Sequence, residues 1–249
     1  MAMSSEHWSL CGDPNEMLRE LKDYPSPRPF WLFSIECCRR IWHMLPEEPS
    51  RQAVEMAQLW VDSKASRKEV ERAYLEAFET SLNYERFADQ ELRVHGYYYD
   101  AKTTSEIAAR RCAANVAKLS IDVHAIWNIA YDAATAAARE SIPDSARRAT
   151  QSRVWNSARD LELANQCDII RDIFEYPFEQ VRFDPQWKSE DVHRIAELIS
   201  EKNNFSQLPI LADALEEAGC DEELILHHCR EGLGHVRGCW VVDLILAKS

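Results

Sequence analysis

Ser105 to Ala138 reads SEIAARRCAANVAKLSIDVHAIWNIAYDAATAAA, and this stretch decides the fold class. Its apolar residues recur at steps of three and four, the spacing of a heptad seam sustained over several helical turns. The alanines of the seam allow a partner helix to approach closely. The seam consists of Cys112, Val116, Leu119, Val123, Ile126, Ala130, Ala134 and Ala137. The pattern therefore predicts a long Ala-rich helix with a packed partner.

A second long helix is predicted directly after this stretch. Pro143, Asp144 and Ser145 break the first helix and offer new caps. The next helix runs to about Glu175, and one stripe of it carries Leu163, Cys167, Ile170 and Phe174. We predict that the two helices form a long antiparallel hairpin over about 103–175. Two interpretations stand: the hairpin is the core of a bundle, or it is an exposed coiled-coil arm that recruits another protein.

The composition favours helix over sheet throughout the chain. Of its 249 residues only six are glycine, 46% are hydrophobic, and few segments alternate strictly between polar and apolar residues. The predicted fold class is all-α, a multi-helix bundle with a long Ala-rich antiparallel helical hairpin in the middle. An N-terminal helical region over 1–175 and a small C-terminal helical block over 188–249 are predicted to pack as one unit. An extended connector from Tyr176 to Trp187 joins them.

The charge of the chain limits its partners and its location. The formal net charge is −13, whereas a nucleic-acid-binding protein carries a basic surface, so we expect no nucleic acid partner. A local run of arginines is interpreted as a solvated helix face; it consists of Arg139, Arg147, Arg148, Arg153 and Arg159. No signal-peptide pattern and no run of ~18 uncharged apolar residues occurs, so we expect no membrane contact. The predicted location is the cytoplasm, where the eight cysteines stay reduced.

A cluster of metal-ligand residue types lies near the C-terminus. His227, His228, Cys229, His235 and Cys239 fall within thirteen positions. Thiolate and imidazole are the ligands that zinc prefers, and a helix end followed by a glycine turn would fold them together. The candidate metal ligands are His228, Cys229, His235 and Cys239, with zinc as the candidate cofactor. The alternative is that the cysteines are small buried core residues and the histidines lie at helix ends.

No sequence motif of catalysis stands out from chance. The chain lacks GxSxG, P-loop, GxGxxG and HExxH patterns, so we name no catalytic residue and no organic cofactor. Arg230 and His235 are spaced like the Arg and His of a helical RNase family, but the intervening EGLG should end the helix on which that motif lies. Geometry must decide whether the two share a cleft.

Blocks at both ends of the chain carry a family resemblance. These blocks are FWLFSIECCRRIWHML near the N-terminus, then RDIFEYPFEQVRFDPQW, LPILADALEEAGC, ILHHCR and HVRGCWVVDLILAK. The chain resembles a family of planctomycete proteins that pair a CCRRIW-type helix with an Ala-rich middle and this C-terminal block. The resemblance covers about half of the chain. It implies a bacterial, cytosolic lineage and no known activity, cofactor or catalytic residue.

These observations lead to three functional hypotheses. The first is a soluble, non-enzymatic protein-interaction or adaptor module, which the missing catalytic motifs, the acidic charge and the Ala-rich seam favour. Its partner would be another protein that binds the helical hairpin. The second is a zinc-binding protein that uses the C-terminal Cys/His cluster. The third is a helical nuclease or hydrolase that uses Arg230 and His235.

Overall fold

The computed structural model describes residues 3–95, 101–118, 123–143, 148–175, 177–178, 181–231 and 234–248. Within these ranges the chain forms twelve α-helices, four short 3₁₀ turns and no strand. The predicted all-α, multi-helix bundle is therefore confirmed. In the same ranges no helix is long and apolar enough to cross a bilayer.

The helices follow one another with short connections. Their bounds are α1 Ser5–Leu10, α2 Pro14–Glu20, α3 Arg28–Arg40, α4 Glu48–Val61, α5 Arg67–His95, α6 Ala101–Val116, α7 Val123–Glu140, α8 Arg148–Ile173, α9 Glu190–Lys202, α10 Leu208–Glu217, α11 Glu223–Arg230 and α12 Trp240–Ile245. Most of the predicted break at 143–145 lies outside the described residues.

Two compact units make up the chain. The central unit comprises the described residues within 11–23 and 30–167, and the terminal unit those within 1–10, 24–29 and 168–249. The last residues of α8, from Asp168 onward, belong to the terminal unit. The boundary predicted between 175 and 188 differs from this division. It assigns residues 1–10 and 24–29 to the central residues, whereas they belong to the terminal unit.

An Ala-rich antiparallel hairpin lies in the middle of the central unit, but it is formed by α6 and α7. The Ser105 hydroxyl donates to the Ala136 carbonyl at 3.2 Å, and Arg111 lies 3.6 Å from the Asp132 carboxylate. Residue numbers rise along α6 as they fall along α7, so the two helices run in opposite directions. The single long helix predicted across this stretch is therefore two helices.

The hairpin predicted over about 103–175 is corrected in its first arm, which is two helices, α6 and α7. Its second arm is α8, whose Gln166 donates to the Ala130 carbonyl of α7 at 3.0 Å. The stretch between Val116 and Val123 contains neither proline nor glycine, so no local signal marks the end of α6. Packing of α6 on α7 buries alanines of both helices. The free energy gained by this burial outweighs the helix propensity that would favour one continuous helix. The buried alanines of this seam are Ala108, Ala109, Ala113, Ala114, Ala130, Ala133, Ala134 and Ala136. The seam is thus part of the core of the central unit.

Helix α3 is almost entirely buried, as its broad apolar face predicts. Phe33, Ile35 and Cys37 are inaccessible to solvent. Two charged groups at its end are paired inside the central unit: Arg40 donates to both carboxylate oxygens of Glu162 at 2.8–3.0 Å. This bidentate geometry satisfies a nearly buried carboxylate that would otherwise be costly to desolvate.

The terminal unit is built from the three short helices that the sequence predicts, followed by α12. The Ser189 hydroxyl accepts from the Val192 amide and caps α9, while Gly219, at φ +90°, follows α10. Apolar side chains of α9 to α12 form one core; they include Ile199, Leu211, Leu215, Ile225, Val241 and Ile245. The last apolar segment is a helix. Its Asp243 pairs with Arg28 at 3.0 Å.

Candidate metal centre

A buried carboxylate, that of Asp172, organises the polar centre of the terminal unit. Asp172 lies in the last turn of α8 and is 2% exposed. Its Oδ1 lies 2.6 Å from Nδ1 of His235 and 3.2 Å from Nε2 of His228. Its Oδ2 accepts from the backbone N–H of Val236 at 2.7 Å. Both carboxylate oxygens therefore have partners inside the protein.

Three elements bring the other polar groups to this carboxylate. His228 lies in the last turn of α11, His235 lies in the segment after it, and Cys239 is the N-cap of α12. The Cys239 sulfur is 3.2 Å from Nε2 of His228. We call Asp172, His228, His235 and Cys239 the Asp172 cluster. One ligand atom of each lies within 4.8 Å of those of the others.

The orientation of His228 is fixed by Trp240. The indole N–H of Trp240 donates to Nδ1 of His228 at 3.1 Å. An indole can only donate, so Nδ1 is the acceptor and the ring hydrogen of the neutral imidazole lies on Nε2. That N–H faces Asp172 Oδ1 and the Cys239 sulfur. In the absence of metal, each polar group of His228 thus has a partner of the correct kind.

His235 differs because both of its ring nitrogens face acceptors. Nδ1 faces Asp172, and Nε2 lies 3.1 Å from the carbonyl oxygen of Glu231. Burial lowers the pKa of His235, but the hydrogen bond and charge of Asp172 and the Glu231 carbonyl raise the pKa more, so the net change is upward. The geometry favours an imidazolium paired with the Asp172 carboxylate.

Asp172 and Cys239 respond differently to the same burial. Burial raises the pKa of Asp172, but hydrogen bonds from His228 and His235 lower it by more than burial raises it. The net change in the pKa of Asp172 is therefore downward. Burial and the negative charge of Asp172 both raise the pKa of the Cys239 thiol well above its ordinary value. A metal ion would have to displace protons from Cys239 and His235, because only the thiolate and the unprotonated nitrogen are ligands.

The surroundings of the Asp172 cluster fit a metal ion in most respects. A ligating histidine usually donates its second N–H to a carbonyl or carboxylate, and His235 Nε2 faces the Glu231 carbonyl. A monodentate carboxylate is usually held by a donor on its other oxygen, as Val236 N–H holds Asp172 Oδ2. His228 departs from this pattern because the indole of Trp240 faces its second nitrogen with a donor. Ligation through Nε2 would require that hydrogen bond to break.

The structure brings together three of the four ligands predicted from the sequence. His228, His235 and Cys239 converge, but Cys229 lies in the apolar core of the terminal unit. Adjacent residues of an α-helix project about 100° apart, so His228 and Cys229 do not share a face. The fourth member of the cluster, Asp172, was missed because no local spacing links it to residues more than fifty positions later.

Two other polar residues of α11 are engaged at the surface. His227 is exposed and pairs with Glu231 at 2.7 Å. Arg230 donates to Glu216 at 2.7–2.9 Å and to Asp213 at 3.0 Å. Helix α11 ends at Arg230, as the sequence predicts, and residues 232–233 lie outside the described residues.

Arg230 and His235 do border one small cavity of about 250 Å³. However, the Arg230 guanidinium is occupied by two carboxylates, and both ring nitrogens of His235 are hydrogen-bonded. Neither side chain offers a group that is ready to bind or protonate a phosphate. The arrangement therefore gives the RNase-like spacing no chemical support.

Comparison with known proteins finds no matching family model, no matching curated protein and no matching solved structure. The resemblance to planctomycete proteins therefore stays a prediction. Functional inference for this chain depends on the geometry of its own residues.

Proposed function

We propose that the terminal unit binds one structural zinc ion through Asp172, His228, His235 and Cys239. The observation that carries this proposal is the convergence of four ligand atoms within 4.8 Å of one another at a buried point. Two imidazoles, a thiolate and a carboxylate form a mixed nitrogen, sulfur and oxygen set that suits zinc better than magnesium or calcium. The predicted set changes by one residue, with Asp172 in place of Cys229.

Four protein ligands support a structural role for the ion. A catalytic zinc keeps one coordination position for water or substrate, whereas a closed tetrahedral site stabilises the fold. The ion would connect the end of α8 to α11 and the start of α12, which are far apart in sequence. Its function would be to hold the terminal unit together, and this supports a non-enzymatic protein.

The test compares two buried cysteines of the same unit. Protein purified without chelator is analysed for metal, and its melting temperature is measured before and after dialysis against a chelator. We expect one zinc per chain in the wild type and in Cys229→Ser, and none in Cys239→Ser or Asp172→Asn. Zinc lost in Cys229→Ser but retained in Cys239→Ser would contradict this ligand set. Metal-free wild-type protein that takes up no added zinc would refute the site.

An exposed apolar stripe on α5 supports a second role, as a protein-interaction or adaptor module. Leu75 is 60% exposed, Phe78 is 41% exposed, and Leu82 follows one turn later with partial exposure. We call these three residues the α5 stripe. Their i, i+3, i+7 spacing puts them on one face, opposite the buried Val70, Ala77 and Ala88 by helical periodicity.

The charge of the whole chain indicates the kind of partner. Glu71, Glu76 and Glu79 are exposed on the same part of the helix, but so are Lys68 and Arg72, and Glu71 pairs with Arg67 at 2.8 Å. The local charges are therefore mixed, and the formal charge of −13 on the chain is what favours a basic partner. The partner we propose is an amphipathic helix of another protein with an apolar stripe and basic flanks. The sequence predicts that this partner binds the Ala-rich hairpin. Because the alanines of that hairpin are buried, we propose the α5 stripe as the binding surface instead.

This second role is tested with two designed helical peptides that share an apolar stripe. One carries lysine on both flanks and the other carries glutamate. Calorimetry should detect binding of the lysine peptide only, and Leu75→Asp/Phe78→Asp should weaken this binding at least tenfold. Leu161→Asp, at an exposed leucine of α8, is the matched control. Equal binding of both peptides, or none, would refute the proposed partner, as would a dimer of the chain formed through the same residues.

The cytoplasm is the location that we propose for this protein. All eight cysteines are free thiols and buried. Secreted proteins of the oxidising compartments commonly pair their cysteines as disulfides, so a full set of free thiols supports a reducing compartment.

A further inference from the structure

A cavity in the central unit combines a cation with an aromatic ring. Its volume is about 480 Å³, and we call it the Arg139 pocket. It is lined by Arg139, Ile142, Gln151, Ser152, Trp155 and Asn156, none of which carries a carboxylate. Among the described residues, this lining holds an arginine and no acid, which in a chain with a net charge of −13 is a local reversal of charge. The sequence marks the same segment by its arginines.

Two donors at the Arg139 pocket have no acceptor within the part of the chain that the structure describes. Nε of Arg139 and the indole Nε1 of Trp155 are both buried and lack a hydrogen-bond partner. The Arg139 guanidinium lies 5.6 Å from the centre of the Trp155 ring and pairs with no carboxylate of the described residues. Buried donors without acceptors cost about 1–3 kcal/mol each, which a ligand with acceptor atoms would recover.

Trp155 adds a second requirement on the ligand, namely a flat ring. Arg159 also lies 5.6 Å from the centre of this indole, so the ring has two guanidinium groups near it. An indole beside a cation is a surface on which planar, electron-rich groups stack. The cavity volume falls in the range of about 300–1,000 Å³ that is typical of small-molecule sites. Amide and hydroxyl groups of Gln151, Ser152 and Asn156 border the same space.

A neighbouring cavity of about 490 Å³ shares Arg139 and Ile142 but differs in charge. Its lining includes the carboxylates of Glu106 and Glu140, and the latter lies 2.8 Å from His43. An anion would be repelled by these acids, whereas the described lining of the Arg139 pocket has none. The difference in lining assigns the anion to the pocket beside Trp155.

We propose that the Arg139 pocket binds a small organic anion that carries a planar aromatic or heteroaromatic ring. Arg139 pairs with the anionic group, the Trp155 N–H donates to the ligand, and the indole stacks on its ring. This site lies in the central unit and does not depend on the zinc proposal. An arginine that pairs with no carboxylate of the described residues and the indole beside it form one site that neither an inorganic anion nor a neutral ring satisfies fully.

The experiment uses four probes on the full chain. Adenosine 5′-monophosphate and indole-3-carboxylate each combine a ring with an anion, while adenosine supplies the ring alone and inorganic phosphate the charge alone. Nitrogen–proton NMR spectra follow the Trp155 indole N–H, which is assigned by its loss in Trp155→Phe. We expect at least one of the two combined probes to shift this resonance to saturation, with a Kd at least tenfold below those of adenosine and phosphate.

Two arginine variants separate the site from general charge. Arg139→Gln should weaken binding of the effective probe at least tenfold with an unchanged circular dichroism spectrum. Arg153→Gln, at an exposed arginine of α8 outside the lining, should bind like the wild type. The proposal is overturned if neither combined probe moves the Trp155 resonance, or if Arg139→Gln binds as tightly as the wild type. Should Arg139→Gln unfold, Arg139→Lys replaces it, with the same expected weakening because a lysine cannot reproduce the planar contact.

Discussion

The indole N–H of Trp240 donates to Nδ1 of His228 at 3.1 Å, and this hydrogen bond determines which nitrogen of His228 carries its hydrogen. Zinc ligation through Nε2 needs the opposite tautomer, with the hydrogen on Nδ1 facing another donor. Trp240 therefore stabilises the hydrogen bonds that His228 makes within the Asp172 cluster and would oppose the proposed ligation of zinc through Nε2.

Trp240→Phe should increase the affinity for zinc. The substitution removes the donor that holds His228 in the metal-free tautomer, and a net hydrogen bond of about 1 kcal/mol corresponds to roughly a fivefold tighter Kd. Competition of the protein with a chromogenic chelator measures this change. Trp187→Phe, also in the terminal unit, should leave the Kd unchanged. Weaker zinc binding by Trp240→Phe alone would show that the indole supports the metal.

A buried acid of the central unit should make stability depend on pH. Burial raises the pKa of Asp132 to about 6, with Arg111 lowering it and Glu85 raising it, and Asp132 Oδ2 has no hydrogen-bond partner. The folded state then keeps a proton that the unfolded chain releases near pH 4. The free energy of unfolding should therefore fall as the pH rises from about 4 to about 6. The expected loss is roughly 3 kcal/mol, for a pKa difference near two.

Urea unfolding across this pH range tests the assignment. The amide of Asp132→Asn cannot titrate. The unfolding free energy of this variant should therefore change with pH by roughly 3 kcal/mol less than that of the wild type between pH 4 and pH 6. Asp160→Asn, at an exposed acid of α8, should keep the wild-type slope. If Asp132→Asn retains the full pH dependence, then Asp132 is already ionised at low pH in the folded state.

Two phenylalanines should separate folding from partner binding. Phe33 is fully buried in α3, so Phe33→Ala should cost about 3–5 kcal/mol of unfolding free energy through lost contacts and a cavity. Phe78 is on the exposed α5 stripe and stacks on Tyr74 with ring centres 5.7 Å apart, so Phe78→Ala should cost only about 0.5–1.5 kcal/mol while weakening binding of the lysine-flanked peptide. Denaturant titration and calorimetry give the two values. A large stability loss in Phe78→Ala would mean that this side chain is part of the core.

The eight buried thiols should be unreactive in the native protein. Burial raises the pKa of Cys38. Burial and the contact with Cys38, whose sulfur lies 2.8 Å away, raise the pKa of Cys112 well above its ordinary value. All eight cysteines are buried, so a disulfide reagent should label them only after unfolding. Fast labelling of a native thiol, located by mass spectrometry, would identify a region that opens below the global unfolding free energy.

Local signals in the sequence account for much of this fold. The capping serine Ser189 and the glycine Gly219 mark helix ends that the structure confirms, because caps act within a few residues. The end of α6 escaped prediction because it depends on packing against α7, and the heptad pattern continues across the turn without a proline or glycine. The α6–α7 hairpin is therefore a tertiary effect.

Some residues of the Asp172 cluster could likewise be predicted from the sequence, and one could not. The short spacing of His228, His235 and Cys239 brought them to notice because their residue types are rare and close together. Asp172 is one of 42 acidic residues in the chain, and only the packing of α8 near α11 and α12 distinguishes it. The choice between Cys229 and Cys239 depended on which side chain faces the cluster, and helix geometry decided it after the fold was known.

The most direct test of the zinc site is the absorption spectrum of the chain loaded with Co²⁺. Cobalt takes the place of zinc in tetrahedral sites, and a bound thiolate adds a charge-transfer band in the near ultraviolet. We predict intense visible bands of tetrahedral cobalt at one equivalent, together with the thiolate band, in the wild type and in Cys229→Ser. In Cys239→Ser the thiolate band should be absent. A pale six-coordinate spectrum in the wild type, or a thiolate band that survives in Cys239→Ser, would contradict the site.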